Sequence, residues 1–227
     1  MTIDDLEILD GIPVLITLDE VKAKLKKADW DLVQRLLECE FHLIHPRAVY
    51  GASSVTEKQD HSVGVDGVLL SSRVLAYHLR KDMNVFPFVA TIGNGLQSRA
   101  DESQDMLVKY YFDAIGNLAL NKTRKYLETH LKERFGFTCL SHLSPGSLSD
   151  WPIEEQQPLF SLLNGAEAAI GIRLTPQFLM VPTKSVSGIF FTTETAFESC
   201  QLCPRDHCPG RRAEYSQSLL DKYGIRD

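Results

Sequence analysis

The pattern of apolar and polar positions is clearest where two apolar runs flank a short polar connector. Met180-Val181 and Val186–Phe191 lie on either side of Pro182-Thr183-Lys184, which predicts two strands. Small residues, the last of them Gly188, interrupt the second run. A glycine inside a strand indicates a bulge or a close approach to the backbone. The pattern therefore predicts either a ligand groove or a buried hairpin that makes room for a packed helix.

Helical periodicity is strongest in the middle of the chain. Val85–Ile92 predicts a strand, and after a glycine turn a long amphipathic helix is predicted from about Leu96 or Asp101 to Glu133. Gly136 follows as a C-cap. Helical and strand patterns alternate irregularly along the chain. This favours an α+β fold, in which helices pack on an antiparallel or mixed twisted sheet.

Two helices are predicted near the N-terminus. Thr17 and Glu20 have the spacing of a capping box, which predicts the start of the first helix. The second is predicted from about Asp31 to Leu43. Cys39 lies within its apolar pattern, so we expect this thiol to be buried.

Composition narrows the class of protein. The chain has 227 residues and a formal net charge of -6, which argues against binding to nucleic acid or to an anionic membrane. No apolar run is long enough to span a bilayer, and the acidic N-terminus does not have the pattern of a signal peptide. We therefore expect a cytoplasmic protein. The five cysteines, an odd number with three close together near the C-terminus, also favour a reducing compartment.

Several short motifs occur in a fixed order in the C-terminal two-thirds of the chain. They are Ser144-Pro145-Gly146, Leu159-Phe160-x-Leu162-Leu163, Gly171-x-x-Leu174-Thr175, Met180-x-Pro182 and Ser185-Val186-Ser187-Gly188. In order and spacing this set resembles the activation domain of cobalamin-dependent methionine synthase and its free-standing relatives. The resemblance implies an activation-domain-like α+β fold.

The resemblance also implies a function. Domains of this family bind S-adenosylmethionine in a shallow groove beside the sheet and cap a cobalamin domain while its cobalt is reduced and remethylated. For this chain it implies a partner that is a corrinoid (cobalamin-binding) protein or a methyltransferase, and it leaves open whether the chain itself turns over substrate. The residues that it places in the groove are His142, Ser144, Pro145, Gly146, Ser185, Val186, Ser187, Gly188 and Phe190.

The chain departs from the family at the signature for the methyl donor. That signature is an arginine, three residues, a glycine and a tyrosine, and the matching positions here are His142, Gly146 and Ser147. An arginine offers a permanently charged fork to a carboxylate, whereas histidine is only partly charged near neutrality. Trp151 lies close enough in sequence to supply the aromatic face that Ser147 lacks.

Three cysteines follow the motifs in the spacing Cys-x2-Cys-x4-Cys. Thiolates at Cys200, Cys203 and Cys208 could share one iron–sulfur cluster or one zinc ion. The fourth ligand would be His207 for zinc or Cys139 for a cluster. The alternative is that the three cysteines are reduced and bind nothing.

These observations predict three segments: residues 1–50 as a mixed N-terminal segment, 51–195 as the activation-domain-like core, and 196–227 as a metal-binding tail. They leave two hypotheses of function. In the first, the chain is an activation or repair factor that binds S-adenosylmethionine and supports reductive remethylation of a corrinoid partner. In the second, it is a non-catalytic, metal-containing docking or scaffold module that has lost binding of the methyl donor.

Overall fold

A computed structural model gives the fold of residues 6–205, 207–208 and 210–225. Ten strands and eight α-helices are assigned within these ranges. The strands are β1 (Leu6–Leu9), β2 (Arg47–Gly51), β3 (Ser53–Lys58), β4 (Ser62–Val65), β5 (Val68–Ser71), β6 (Asn84–Thr91), β7 (Leu140–Leu143), β8 (Arg173–Leu174), β9 (Met180–Val181) and β10 (Ser185–Thr192). The helices are α1 (Leu18–Lys24), α2 (Trp30–Glu40), α3 (Arg73–His78), α4 (Gly95–Glu102), α5 (Met106–Phe135), α6 (Gln156–Leu162), α7 (Ala166–Ile170) and α8 (Gln217–Tyr223).

The main sheet is built around β6. One edge of β6 pairs with β2 and then with β3, and the other edge pairs with β10. The sheet continues through β1 beyond β2, through β7 beyond β10, and through β4 and β5 beyond β3, with every pairing antiparallel. Helices pack against this sheet, so the predicted α+β class is confirmed, and the sheet is antiparallel.

The two faces of the sheet bury different sets of side chains. Helix α5 covers one face, where Leu127 and Leu131 pack with Phe88 and Phe190. On the other face, Ile189 packs in a core cluster that also contains α6 and the C-terminal residues of the chain. Alternate residues of β10 therefore enter different cores, as the two-residue period of a strand requires.

The predicted long helix is in fact two helices. Helix α4 ends at Glu102, and α5 begins at Met106. The Asp105 side chain accepts a hydrogen bond from the Leu107 backbone N–H at 2.8 Å, which caps a new helix. The predicted end is confirmed, since Gly136 adopts a left-handed conformation with φ of 70°. The capping box of Thr17 and Glu20 is also present.

The prediction that Cys39 is buried is wrong. Helix α2 buries Val33 and Leu37, which are one turn apart, and Cys39 lies two residues further on. Two residues rotate the helix by about 200°, so the thiol is on the exposed side.

The two strands predicted around residues 182–184 are both present but do not form a hairpin with each other. Strand β9 pairs with β8 in a separate two-stranded sheet, whereas β10 pairs with β6 and β7. The connector between them is therefore free to line a surface depression. Strand β1, at Leu6–Leu9, belongs to the same main sheet as the strands of the predicted core segment, because it pairs with β2. The division into three segments stays a prediction.

No helix in the described ranges has the length and apolar character needed to cross a membrane.

Candidate functional site

A groove of about 410 Å³ lies beside the start of β10. Its walls come from three parts of the chain that are separate in sequence. One is the loop 144–147 after β7, the second is Ile153 with Gln156, and the third runs from Phe178 to Ser187. This volume is in the range of small-molecule sites.

The loop 144–147 has a conformation that requires glycine. Gly146 has φ of 78°, and a Cβ there would lie 2.9 Å from Ile153 Cδ1. The Gly146 N–H donates to the Trp151 carbonyl at 2.7 Å, and the Ser147 hydroxyl donates to the Ser144 carbonyl at 2.6 Å. These local bonds hold the loop as one rigid wall of the groove.

The apolar wall comes from the turn before β9. Phe178 has φ of 61°, which is uncommon for a residue with a side chain. Its N–H donates to the Thr175 carbonyl at 2.9 Å, while the Thr175 hydroxyl accepts from the Leu179 N–H at 3.1 Å. This closed turn places Phe178, Leu179 and Met180 along the groove.

The polar floor is a pair of buried side chains. The Ser187 hydroxyl donates to Gln156 Oε1 at 2.5 Å. Ser187 is 2% exposed and Gln156 is 3% exposed. Gln156 belongs to the buried side of α6 together with Leu159 and Leu162. A polar residue on an otherwise apolar helix face was the sequence signal that could have identified it.

The rim near the connector is held by further hydrogen bonds. Ser185 Oγ lies 2.7 Å from the Pro182 carbonyl oxygen and 3.0 Å from Thr91 Oγ1. The Lys184 ammonium does not line the groove, because it donates to Asp113 Oδ1 at 2.5 Å and to Asn117 Oδ1 at 2.7 Å on α5. The connector is thus tied to α5 on its outer side.

Six of the nine residues predicted from the resemblance line the groove. They are Ser144, Pro145, Gly146, Ser185, Val186 and Ser187. Gly188 lies just behind them, where a Cβ would come 2.3 Å from the Leu143 carbonyl oxygen. The close backbone approach predicted at this glycine is therefore that of β7, not of a ligand.

The structure places His142 and Phe190 on the opposite face of the sheet. They are register partners in β7 and β10, and their ring centroids are 5.5 Å apart. Both are buried, at 8% and 0% exposure. Arg124 of α5 lies 3.5 Å from His142 Nδ1. Neither ring lines the groove. Side chains alternate between the two faces along a strand, and these two rings lie on the face that α5 covers.

The surroundings of His142 also remove its charge. Burial, with smaller effects from the positive charges of Arg124 and Arg212, holds the pKa of His142 well below its ordinary value. The imidazole is therefore neutral at pH 7. His142 cannot take the place of an arginine that binds a carboxylate in the groove.

Trp151 does not supply an aromatic wall either. It is fully buried in the core, and its indole N–H donates to Glu155 Oε2 at 3.3 Å. The apolar wall is instead the segment 178–180, none of which was predicted as part of the site.

The cysteine loop is organised by an arginine. The Arg211 guanidinium donates to the carbonyl oxygens of Cys200 and Ala213, each at 3.1 Å, and of Cys203 at 3.0 Å. Cys139 lies elsewhere, with its Sγ 3.6 Å from Thr193 Oγ1. Within residues 6–205, 207–208 and 210–225, no three His, Cys, Asp or Glu side chains converge as a metal site would require. The described residues therefore give no support to an iron–sulfur or zinc site.

A larger cavity of about 800 Å³ lies between α3, α8 and residues 192–197. His78 lines it, and its Nε2 is 2.9 Å from the Tyr223 hydroxyl. Burial and the nearby Lys222 lower the pKa of His78 to about 4, so this side chain is neutral at pH 7. None of the predicted site residues lines this cavity.

Comparisons with known proteins agree with the motif pattern. Residues 144–208 match a family model described as vitamin B12 dependent methionine synthase, activation domain. A solved structure described as the MetH reactivation domain bound to AdoHcy is similar over 97% of this chain and 86% of that chain, with 14% sequence identity and a TM-score of 0.49. No curated protein matches the chain. The predicted resemblance is thus confirmed across residues 144–208.

Proposed function

We propose that this chain is an activation factor for a corrinoid protein. It binds S-adenosylmethionine in the groove and supports the reductive remethylation of cobalt on its partner. One observation carries this proposal: every described residue that lines the groove, from Ser144 to Ser187, falls inside the segment that matches the activation-domain family.

The role of this chain's own residues is to bind and to position. When bound, S-adenosylmethionine would supply the methyl group, and the partner's corrinoid would supply the cobalt that accepts it. The loop 144–147 and the turn at Phe178 form rigid walls on either side of the groove. No residue is assigned a catalytic role.

The second candidate is a docking or scaffold module that has lost methyl-donor binding. The burial of His142 favours it, because the described residues that line the groove then include no arginine and no charged histidine for the donor's carboxylate. Whether such a module also contains a metal depends on the three cysteines and is tested separately. Ligand binding distinguishes the two candidates directly.

The test is a calorimetric titration of S-adenosylmethionine into anaerobically purified protein. We expect saturable one-to-one binding by the wild type. Met180→Trp fills the groove and should weaken binding about tenfold or more, since it overpacks the apolar wall. Met106→Trp makes the same change at a methionine that is 74% exposed and away from the groove, so its affinity should equal that of the wild type.

A second test of the proposed function uses the same purified protein. Addition of the protein, a low-potential reductant and S-adenosylmethionine to an oxidised corrinoid protein should restore the absorption spectrum of methylcobalamin. Absence of binding at millimolar ligand would remove the activation role and leave the scaffold candidate.

A further inference from the structure

The groove has no charged lining among the described residues. Two charged residues that are adjacent in sequence to lining residues are engaged elsewhere. Lys184 binds Asp113 and Asn117 on α5, and the Glu155 carboxylate accepts hydrogen bonds from the Ser71 N–H at 2.9 Å and from the Trp151 indole. A ligand in the groove would therefore meet serine, threonine and amide groups together with apolar side chains. The carboxylate and ammonium of an amino acid would find no partner of opposite charge there.

One polar group in the groove is available to a ligand. Gln156 is buried, and its Oε1 is occupied by the Ser187 hydroxyl. This bond orients the amide, so that the Nε2 hydrogens are left for something other than Ser187. Nε2 makes no hydrogen bond to any residue in the described part of the chain. Among the described residues, Ser53 Oγ is the one fully buried side-chain atom without a partner, so Gln156 Nε2 keeps access to solvent at the groove. A ligand acceptor could replace the water that this donor would otherwise bind.

The remaining lining suits a flat, uncharged ring. Phe178, Met180 and Ile153 contribute apolar surface around the polar floor. A purine ring or a ribose offers hydrogen-bond acceptors without a net charge, whereas methionine offers two charges and a flexible chain. The chemistry of the groove thus matches the nucleoside half of an adenosyl ligand better than its amino-acid half.

We propose that the groove recognises an uncharged nucleoside, with the Gln156 amide donating to an acceptor on its base or ribose, and that the amino-acid end of an adenosyl ligand stays in solvent. The choice of adenosine as the nucleoside rests on the proposed function. Gln156 is then the residue that determines specificity in this groove.

The first test compares ligands that share the nucleoside and differ at the other end. S-adenosylmethionine, S-adenosylhomocysteine and 5′-methylthioadenosine should bind the wild-type chain within about threefold of one another, because a solvent-exposed charge contributes little. Methionine alone should not bind. If 5′-methylthioadenosine binds about a hundredfold more weakly than S-adenosylmethionine, a charged contact to the amino-acid end exists and the inference is overturned.

The second test uses two adjacent glutamines. Gln156→Leu should weaken all three adenosyl ligands about tenfold and equally, because it removes the donor and keeps the size. Gln157→Leu makes the same change on the exposed side of α6 and should have no effect. Ser187→Ala frees the Gln156 amide to rotate and should give a smaller loss of affinity for the adenosyl ligands. This variant replaces Gln156→Leu in the test if Gln156→Leu does not fold. Wild-type affinity in both folded Gln156→Leu and Ser187→Ala would contradict the inference.

These outcomes separate the inference from the proposed function. Tight S-adenosylmethionine binding without 5′-methylthioadenosine binding leaves the function standing and removes the inference. Binding of 5′-methylthioadenosine without remethylation of a corrinoid partner leaves the inference standing and removes the proposed function. Absence of binding by every adenosyl ligand overturns both.

Discussion

The two faces of the sheet around β10 differ in both charge and access. On the open face, Ser187 meets Gln156 in a groove that no described charged side chain lines. On the closed face, Phe190 stacks on Phe88 with ring centroids 4.4 Å apart, and His142 lies nearby. The charged pair of Arg124 and Glu128 therefore lies on the closed face, whereas the groove face presents an uncharged polar pair.

The closed face also shows how its charges are tolerated. Arg124, which is 5% exposed, pairs with Glu128 at 3.2 Å, and burial keeps the neighbouring His142 neutral. An unpaired buried charge would be far more costly. The comparison teaches that residues of one strand can have unrelated roles, since Ser187 lines the groove whereas Phe190, three positions further along β10, packs in the core under α5.

Truncation of the closed face should have the largest effect. Phe190→Ala is expected to lower the free energy of unfolding by about 3–5 kcal/mol, because the ring is fully buried. Phe190→Leu keeps most of the volume and should cost about 1–2 kcal/mol. Urea denaturation measures both.

The milder variant also tests the comparison of the two faces. Phe190→Leu should bind adenosyl ligands as the wild type does, because its side chain faces α5. A loss of affinity in folded Phe190→Leu would instead place Phe190 in the site, as the family resemblance implied.

Protonation of His142 should have an intermediate effect. Its pKa is depressed in the folded state, so below the unfolded pKa of about 6.5 the unfolded chain binds the proton more readily, and stability falls as pH falls. Between pH 7.5 and pH 5.5 this histidine should account for a loss of stability on the order of 1 kcal/mol. The His142→Gln variant should lose less stability over this interval by that amount.

The exposed His61 provides the matched control. His61→Gln makes the same substitution away from the closed face and should not reproduce the effect of His142→Gln. If His142→Gln keeps the wild-type dependence of the unfolding free energy on pH, or if NMR shows the His142 imidazole titrating near pH 6.5, the closed face is open to water.

The smallest effect is expected at the cysteine loop, residues 200–213. Its Arg212 lies close enough to His142 for its positive charge to lower the pKa of that imidazole. Hydrogen bonds from Arg211 to the carbonyls of Cys200 and Cys203 hold this loop, and no three potential metal ligands converge among the described residues. Treatment with a chelator should therefore change the unfolding free energy by less than about 0.5 kcal/mol. Stoichiometric metal that is lost in Cys203→Ser, together with a clear fall in stability on chelation, would restore the predicted metal site.

Local features of the fold could be predicted from the sequence because nearby residues form them. The capping box at Thr17 and Glu20 and the left-handed Gly136 depend on hydrogen bonds within a few residues. The break between α4 and α5 was missed, although Asp105 is a good N-cap, because the apolar pattern continues on both sides of it. The helical periodicity and the N-cap residue Asp105 gave conflicting signals here, and periodicity alone did not show that the N-cap starts a new helix.

The sequence by itself determined the α+β class, the strands β6, β9 and β10, the two N-terminal helices, and the motif segments that line the groove. Only the tertiary structure decided which motif residues face it. The pairing of β7 with β10 places His142 opposite Phe190 and turns both toward α5. The contact between Ser187 and Gln156 joins positions 31 residues apart. Such long-range contacts depend on register and packing, which no local pattern in the chain encodes.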